Sequence, residues 1–182
     1  HSSCSLFVFF FKQKTAYEML RSRVGSEMCI RDSRTSVNLI RVIARNFWKR
    51  EPEWINTSNG FDFRAVAKNE AVVLIGDQCF ELENSYHNSV DLAEEWKNYT
   101  GLPFVFACWV ANTKLPEDFI SDFSKALSLG VNNLGKVAER FKNSGTITGQ
   151  ALKDYLENNI DYIFDDRKKK AVALFLQYLA KL

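Results

Sequence analysis

Hydrophobic residues follow two spacings along this chain, one typical of strands and one typical of helices. Residues 71–75 and 103–111 are short, nearly continuous apolar runs, which indicates two strands buried on both faces. Between them, residues 91–99 have helical spacing, with Asp91 and Glu94 as a capping pair and Trp96 on the side expected to face the core. This order predicts an α/β fold with both apolar runs in one sheet.

Helical spacing also covers residues 36–50 and most of the chain after residue 115. Thr35 or Ser36 is suited to cap the first of these helices. Further helices are expected at residues 116–130, 131–142 and 148–158, and Asp165 is expected to cap a last one. Residues 53–68 follow neither spacing clearly. Strands first and helices last suit one lobe of a two-lobed α/β protein.

The first 33 residues are a separate matter. Within them, about residues 7–33 resemble translated sequencing-adapter read-through. The apolar block at residues 6–11 is shorter than that of a secretory signal, and no Lys or Arg precedes it. We therefore expect residues 1–33 to be an artefactual or disordered leader that packs poorly against a domain at residues 34–182.

Setting this leader aside changes the composition. It holds five basic and three acidic residues, so the 24 basic and 22 acidic residues of the whole chain become 19 of each. A net charge of zero does not favour nucleic acid as a partner. Cys79 and Cys108 stand in apolar contexts without a close partner, as expected of buried thiols in a reducing cytoplasm. No apolar run reaches the ~20 residues of a membrane helix, so we expect a cytoplasmic protein with no membrane partner.

One candidate ligand site is the start of the first helix, at Ser33, Arg34, Thr35 and Ser36. A helix N-terminus offers unpaired amide hydrogens and a partial positive charge, which suit a carboxylate. The hydroxyl groups of Thr35 and Ser36 and the guanidinium group of Arg34 would add hydrogen-bond donors. An ordinary helix cap is the alternative interpretation.

A second candidate is Gly76-Asp77, directly after the first apolar run. Polar turns at the carboxyl ends of strands are where open α/β sheets bind ligands. A helix N-terminus and a strand's carboxyl end face the same side of such a sheet, so we expect Thr35, Ser36 and Asp77 to converge on one cleft. A plain turn is again the alternative. His87 lies in a polar stretch without a second metal ligand at usable spacing, and the sequence has no nucleophile elbow or phosphate loop. We therefore expect no metal and no cofactor.

Asp91-Leu92-x-x-x-Trp96 is followed by the run TGLPFVFA at residues 100–107. In these motifs the chain resembles the chorismate dehydratases of the futalosine route to menaquinone, and the resemblance covers about residues 34–182. It implies a cofactor-free lyase on a type II periplasmic-binding-protein-like scaffold, which removes water from chorismate to give 3-[(1-carboxyvinyl)oxy]benzoate. Substrate-binding residues are implied at the two candidate sites, namely Ser33, Arg34, Thr35, Ser36, Gly76 and Asp77.

Family members open with a strand and an Asn-containing loop that form much of the first lobe, and nothing in residues 1–33 matches that part. The resemblance therefore implies a truncated member, the second lobe plus the C-terminal helices, with the unidentified catalytic residues in the missing lobe. Such a fragment is expected to be inactive alone. The sister enzyme that forms dihydroxynaphthoate in the same pathway and a non-catalytic solute-binding lobe of a transport system are the alternatives. The oligomeric state stays open.

Overall fold

The computed structural model describes residues 27–30, 34–56, 61–65, 70–76, 78–82, 85–86, 88–141 and 149–182. Its strands are β1 (Glu27–Ile30), β2 (Glu53–Asn56) and β3 (Glu70–Val72). Its helices are α1 (Arg34–Ile43), α2 (Gln78–Glu81), α3 (Leu92–Thr100), α4 (Glu117–Val131), α5 (Leu134–Phe141), α6 (Gly149–Asn158) and α7 (Asp166–Leu179). A π-helical turn at Ala44–Trp48 continues α1.

The three strands form a parallel sheet in the order β2, β1, β3. Met28 of β1 pairs with Trp54 of β2 on one side and with Ala71 of β3 on the other. Parallel neighbours need a crossover connection, and α1 lies in the one from β1 to β2. A parallel sheet with helices is compatible with the expected α/β fold, while the two-lobed scaffold stays a prediction.

Strand β1 lies inside the leader that was expected to stand apart from the domain. Glu27–Ile30 pairs with both other described strands and lies between them in the sheet. The structure therefore differs from the expectation at these four residues. Residues 1–26 and 31–33 lie outside the described part of the chain, so the domain boundary before Arg34 stays a prediction.

Strand β2 falls in the stretch that showed no clear spacing. Its four residues are exposed, half-buried, half-buried and exposed in turn, as suits the edge strand of a small sheet. The alternation of apolar and polar residues that normally indicates a strand is therefore absent. Strand β3 confirms the strand predicted at residues 71–75 in a shorter form. It ends at Val72, although the buried stretch continues to Leu74.

The main core lies where α1 packs against the sheet and against α3. Leu39, Ile40 and Ile43 of α1 are fully buried and cluster with Trp96 of α3 and with Val73. Full burial of each large apolar side chain contributes roughly 1.5–3 kcal/mol. The helical stripe predicted for residues 36–50 is confirmed, but the helix begins two residues earlier, at Arg34.

Helix α3 has the ends that its sequence predicts. One carboxylate oxygen of Asp91 accepts from the backbone N–H groups of Ala93, at 2.8 Å, and Glu94, at 3.1 Å. Gly101 ends the helix at φ 70°, and its N–H donates to the carbonyl oxygen of Lys97 at 2.8 Å. These caps satisfy donors and acceptors that a helix leaves open at its ends.

The second predicted strand, at residues 103–111, is wrong. Phe104 and Val105 are buried, but residues 107–111 are exposed and no part of the run pairs with a described strand. Cys108 is consequently exposed, which corrects the prediction of a buried thiol, whereas Cys79 is buried as expected. An apolar run supplies strand propensity, but a strand also needs a neighbouring edge to pair with.

The chain ends in four helices, all of which the sequence predicts. Asp165 caps α7 by accepting from the N–H of Lys168 at 2.9 Å. Phe175 and Tyr178 of α7 pack on the main core, against Trp96. The ends of α4, α5 and α6 surround a separate small cluster that includes Val105. The last helix therefore closes the main core, while α4 has no buried residue.

Candidate functional site

The two candidate ligand segments follow the carboxyl ends of neighbouring strands. Helix α1 begins four residues after β1 ends at Ile30, and Gly76 lies four residues after β3 ends at Val72. Strands β1 and β3 are parallel and paired, with Cys29 opposite Val72. Both connections therefore leave the same edge of the sheet, the edge at which open α/β folds bind ligands.

The N-terminus of α1 presents Arg34 and Thr35 more than Ser36. Arg34 is exposed, Thr35 is half-buried, and Ser36 is 0% exposed. Because the helix begins at Arg34, neither Thr35 nor Ser36 is its N-cap as predicted; both lie in the first turn. The first turn of a helix carries N–H groups without intrahelical acceptors, and with the adjacent guanidinium it favours an anion. Ser33 lies outside the described residues.

Gly76 makes the turn after β3 in a conformation that favours glycine. Its φ is 62°, and a Cβ atom placed there would meet nothing within 4 Å. The backbone conformation, rather than a lack of space, therefore explains the glycine. Its carbonyl oxygen accepts from the N–H of Cys79 at 3.1 Å, which begins α2. Asp77 lies outside the described residues, so its approach to Thr35 and Ser36 stays a prediction.

A groove of about 310 Å³ lies elsewhere, between α3, residues 103–106 and α7. Phe104 and Phe106 line one part of it, and the charged side chains of Lys97, Asp161 and Lys168 line another. No sequence pattern predicted this groove. Its walls come from residues 93–106 and residues 159–168, which are far apart in the sequence, so no local spacing could have indicated it.

Lys168 is the buried cation of this groove, with 2% of its surface exposed. Its ammonium group lies 2.5 Å from a carboxylate oxygen of Asp161 and also donates to the carbonyl oxygen of Ile163. A second carboxylate, that of Asp165, is 4.0 Å away. Lys168 begins a run of three lysines, a pattern that normally indicates a solvated surface, so its burial was missed.

Comparison with known families gives the biological role, which the geometry alone does not. A family described as menaquinone biosynthesis matches residues 3–181 of the 182-residue chain. The chain belongs to this family. Membership supports a role in menaquinone biosynthesis and suggests that the protein is an enzyme. The interpretation of residues 1–33 as an artefact and of the chain as a truncated member stays a prediction.

Within this menaquinone biosynthesis family member, Trp96 is a core residue, as the sequence predicts. Its ring is 0% exposed and makes edge contacts with Phe104 at 5.5 Å and Phe175 at 5.9 Å between ring centroids. The indole N–H finds no acceptor among the described residues. With no exposed face, Trp96 cannot act as a platform on which a ligand stacks.

Among the titratable groups in the described part of the chain, Tyr86 has the most clearly shifted pKa. The pKa of Tyr86 is raised to about 12, chiefly by burial and also by the negative charge of Asp62, while the positive charge of Arg64 partly opposes the shift. The phenol donates to the carbonyl oxygen of Phe63, which is the bond of a neutral phenol. Tyr86 therefore stays protonated at neutral pH and fixes the segment before β3.

In residues that the structure describes, no three His, Cys, Asp or Glu side chains form a group that could hold a metal ion. His87 lies outside those residues. None of the described helices has the length and apolar character needed to cross a membrane.

Proposed function

We propose that this chain provides the substrate-binding edge of a chorismate dehydratase, a lyase of menaquinone biosynthesis. The observation that supports the proposal is the shared edge of β1 and β3, from which both the N-terminus of α1 and the Gly76 turn emerge. Chorismate is a dicarboxylate, and a helix N-terminus beside an Arg favours carboxylates. The edge therefore has the chemistry that one end of chorismate requires.

Dehydration of chorismate needs orientation and charge stabilisation rather than a nucleophile. Removal of the ring proton next to the enol ether spreads negative charge through the diene toward the ring carboxylate. The C–O bond to the ring hydroxyl then breaks, hydroxide leaves, and the ring becomes aromatic. Proton and hydroxide together are the water that is lost. Donors fixed around the ring carboxylate stabilise the charge as it develops.

Each residue at the edge has a proposed task. Arg34 supplies a charged pair of donors, and the Thr35 hydroxyl adds a third donor beside the α1 amides. Ser33 extends this set, and buried Ser36 supports the turn that presents it. Gly76 permits the turn that carries Asp77, whose carboxylate orients the departing hydroxyl. We assign the catalytic base to a first lobe of the scaffold, which closes over the substrate and excludes water.

The test is a chimera in which the first lobe of an intact family member replaces residues 1–33. The grafted lobe must supply a strand in the place of β1, because β1 joins β2 to β3. With chorismate as substrate, the chimera is expected to form 3-[(1-carboxyvinyl)oxy]benzoate, separated and quantified by liquid chromatography. The unmodified chain is expected to form none.

Thr35→Val in the chimera tests the assigned edge. Loss of a hydrogen bond to a charged ligand costs about 1.5–3 kcal/mol, so kcat/KM should fall about tenfold or more. Thr113→Val, at an exposed threonine outside this edge, is the matched control and should leave kcat/KM unchanged. A folded chimera without benzoate product would contradict the dehydratase assignment, and formation of dihydroxynaphthoate would favour the sister enzyme instead.

A further inference from the structure

The groove between α3, residues 103–106 and α7 has an aromatic wall that the core holds in place. The ring of Phe104 is buried and meets Trp96 edge-on at 5.5 Å and Phe175 at 4.9 Å between ring centroids. Phe106, which is half-buried, lines the groove and meets Phe104 edge-on at 4.7 Å. Because these contacts fix the two rings in advance, a ligand that packs on them pays little to order the wall.

The buried ion pair of Lys168 and Asp161 forms another part of the lining and already has its partners within the chain. The ammonium group lies 2.5 Å from one carboxylate oxygen of Asp161 and also donates to the carbonyl oxygen of Ile163. The second carboxylate oxygen accepts from the N–H of Ile163 at 3.0 Å. This pair therefore gives the groove a fixed and nearly neutral surface rather than a counterion for a ligand.

Among the described residues, the other charged side chains of the lining are those of Glu94 and Lys97. Both are exposed, and they stand one turn apart on α3. Side chains at this spacing lie on one face of a helix, with their Cβ atoms about 5–6 Å apart. The groove thus offers one negative and one positive charge at short separation, beside an aromatic wall. Its lining as a whole favours neither sign.

We propose that this groove binds a free aromatic amino acid, with its ring on Phe106, its ammonium group at Glu94 and its carboxylate at Lys97. Both charges of an α-amino acid sit on one carbon atom, so they meet two side chains that are one helical turn apart. An aromatic acid without the ammonium group brings like charge to Glu94, and an aromatic amine does so to Lys97. The volume of about 310 Å³ is at the small end of ligand pockets, roughly 300–1,000 Å³, and suits a molecule with a single ring.

Titration of the isotope-labelled full chain with L-phenylalanine, followed by two-dimensional NMR, tests the site. Saturable shifts are expected for amides at residues 93–106 and 159–168, and none at residues 34–36 of the sheet edge. Three comparison ligands each lack one feature: 3-phenylpropanoate the ammonium group, 2-phenylethylamine the carboxylate, and L-alanine the ring. Each is expected to bind at least about threefold more weakly, since an exposed charge pair or a ring contact is of modest strength.

Two substitutions at exposed positions test the charged contacts without disturbing the core. Lys97→Gln is expected to raise the Kd of L-phenylalanine at least about threefold and not to weaken binding of 2-phenylethylamine, which has no carboxylate to lose. Glu94→Gln is expected to do the same for L-phenylalanine and not to weaken binding of 3-phenylpropanoate. Lys136→Gln, at an exposed lysine of α5 outside the groove, is the matched control and should keep the parent Kd. Circular dichroism confirms that the variants are folded.

The proposal is independent of the dehydratase assignment, because the groove shares no residue with the sheet edge. Absence of saturable shifts at the groove overturns the site. Binding of 3-phenylpropanoate or 2-phenylethylamine as tight as that of L-phenylalanine overturns the choice of a ligand with both charges. Equal Kd values for the parent chain, Lys97→Gln and Glu94→Gln overturn the two assigned contacts.

Discussion

At the scale of single residues, Lys168 is expected to stabilise the fold through its buried, hydrogen-bonded ammonium group. Lys168→Met keeps an apolar stem of similar length but removes the charged hydrogen bonds to Asp161 and to the Ile163 carbonyl. Bonds to charged groups contribute about 1.5–3 kcal/mol each, and Met regains part of that by packing, so the free energy of unfolding should fall by roughly 1–3 kcal/mol. Urea unfolding followed by circular dichroism measures this.

The neighbouring lysine provides the control for that experiment. Lys169 is paired with Asp166 at 2.9 Å on the surface, where both side chains are largely in water. Exposed pairs of this kind contribute little, so Lys169→Met should change the free energy of unfolding by less than about 0.5 kcal/mol. Equal effects of the two substitutions would show that the burial of Lys168 has no energetic consequence.

Tyr86 makes stability depend on alkaline pH. Its pKa is raised from 10.0 to about 12 in the folded protein, chiefly by burial. The unfolded chain therefore loses this proton first, so the contribution to stability is complete below pH 10 and is lost as the pH rises through about 12. Burial also raises the pKa of Tyr162, which adds a loss of the same sign.

Tyr86→Phe isolates the contribution of this one phenol. Chemical unfolding at a series of pH values from below the ordinary tyrosine pKa of 10.0 up to the shifted pKa of about 12 should show a shallower decline in stability for the variant than for the parent chain. Tyr99→Phe, on the exposed side of α3, is the control and should keep the parent slope. The same slope in all three proteins would show that Tyr86 is not buried enough to couple its proton to folding.

Residues whose environment is set by near neighbours could be predicted, and those set by distant ones could not. Asp91 caps α3 through amides two and three positions away, which the sequence displays directly. The burial of Lys168 depends on the fold of the link at Asp161 and Ile163, which lies far from any pattern that the run of three lysines displays. The prediction that Cys108 is buried was wrong for the same reason, since apolar neighbours in the sequence do not guarantee that a helix or strand packs over the side chain.

At the scale of elements, helices were predicted better than strands. A helix satisfies its backbone within one segment, so the spacing of α1, α3 and α7 was sufficient to find them. A strand depends on a neighbour that the local sequence does not contain. Strand β2 was therefore not predicted, because its pairing partner β1 is distant in the sequence. Residues 103–111 were predicted to join the sheet that contains β3, but they pair with no described strand. Errors of this kind follow from the non-local pairing of sheets.

At the scale of the whole molecule, the candidate site follows from topology more than from any single residue. The sequence supplied both polar segments and the principle that they meet at the carboxyl edge. It did not supply β1, the strand whose pairing with β3 puts the two connections side by side. Membership of the menaquinone biosynthesis family supports a role in that pathway without identifying a region or residues of the site. The residues of the site are therefore a prediction from the sequence, whereas the position of both segments at one edge of the sheet is a finding of the structure.

The central strand leads to the prediction that tests the molecule as a whole. Because β1 is the central strand of the described sheet and pairs with both β2 and β3, removal of residues 1–33 takes away both of these strand pairings. We expect this deletion to lower the melting temperature by several degrees, as a loss of about 1 kcal/mol or more does in a chain of this size. Deletion of residues 1–26 keeps β1 and is expected to leave the melting temperature unchanged. Differential scanning calorimetry of the three proteins compares them directly. If both deletions behave like the parent chain, the pairing of β1 contributes nothing to stability, and the interpretation of all 33 residues as a non-native leader gains support.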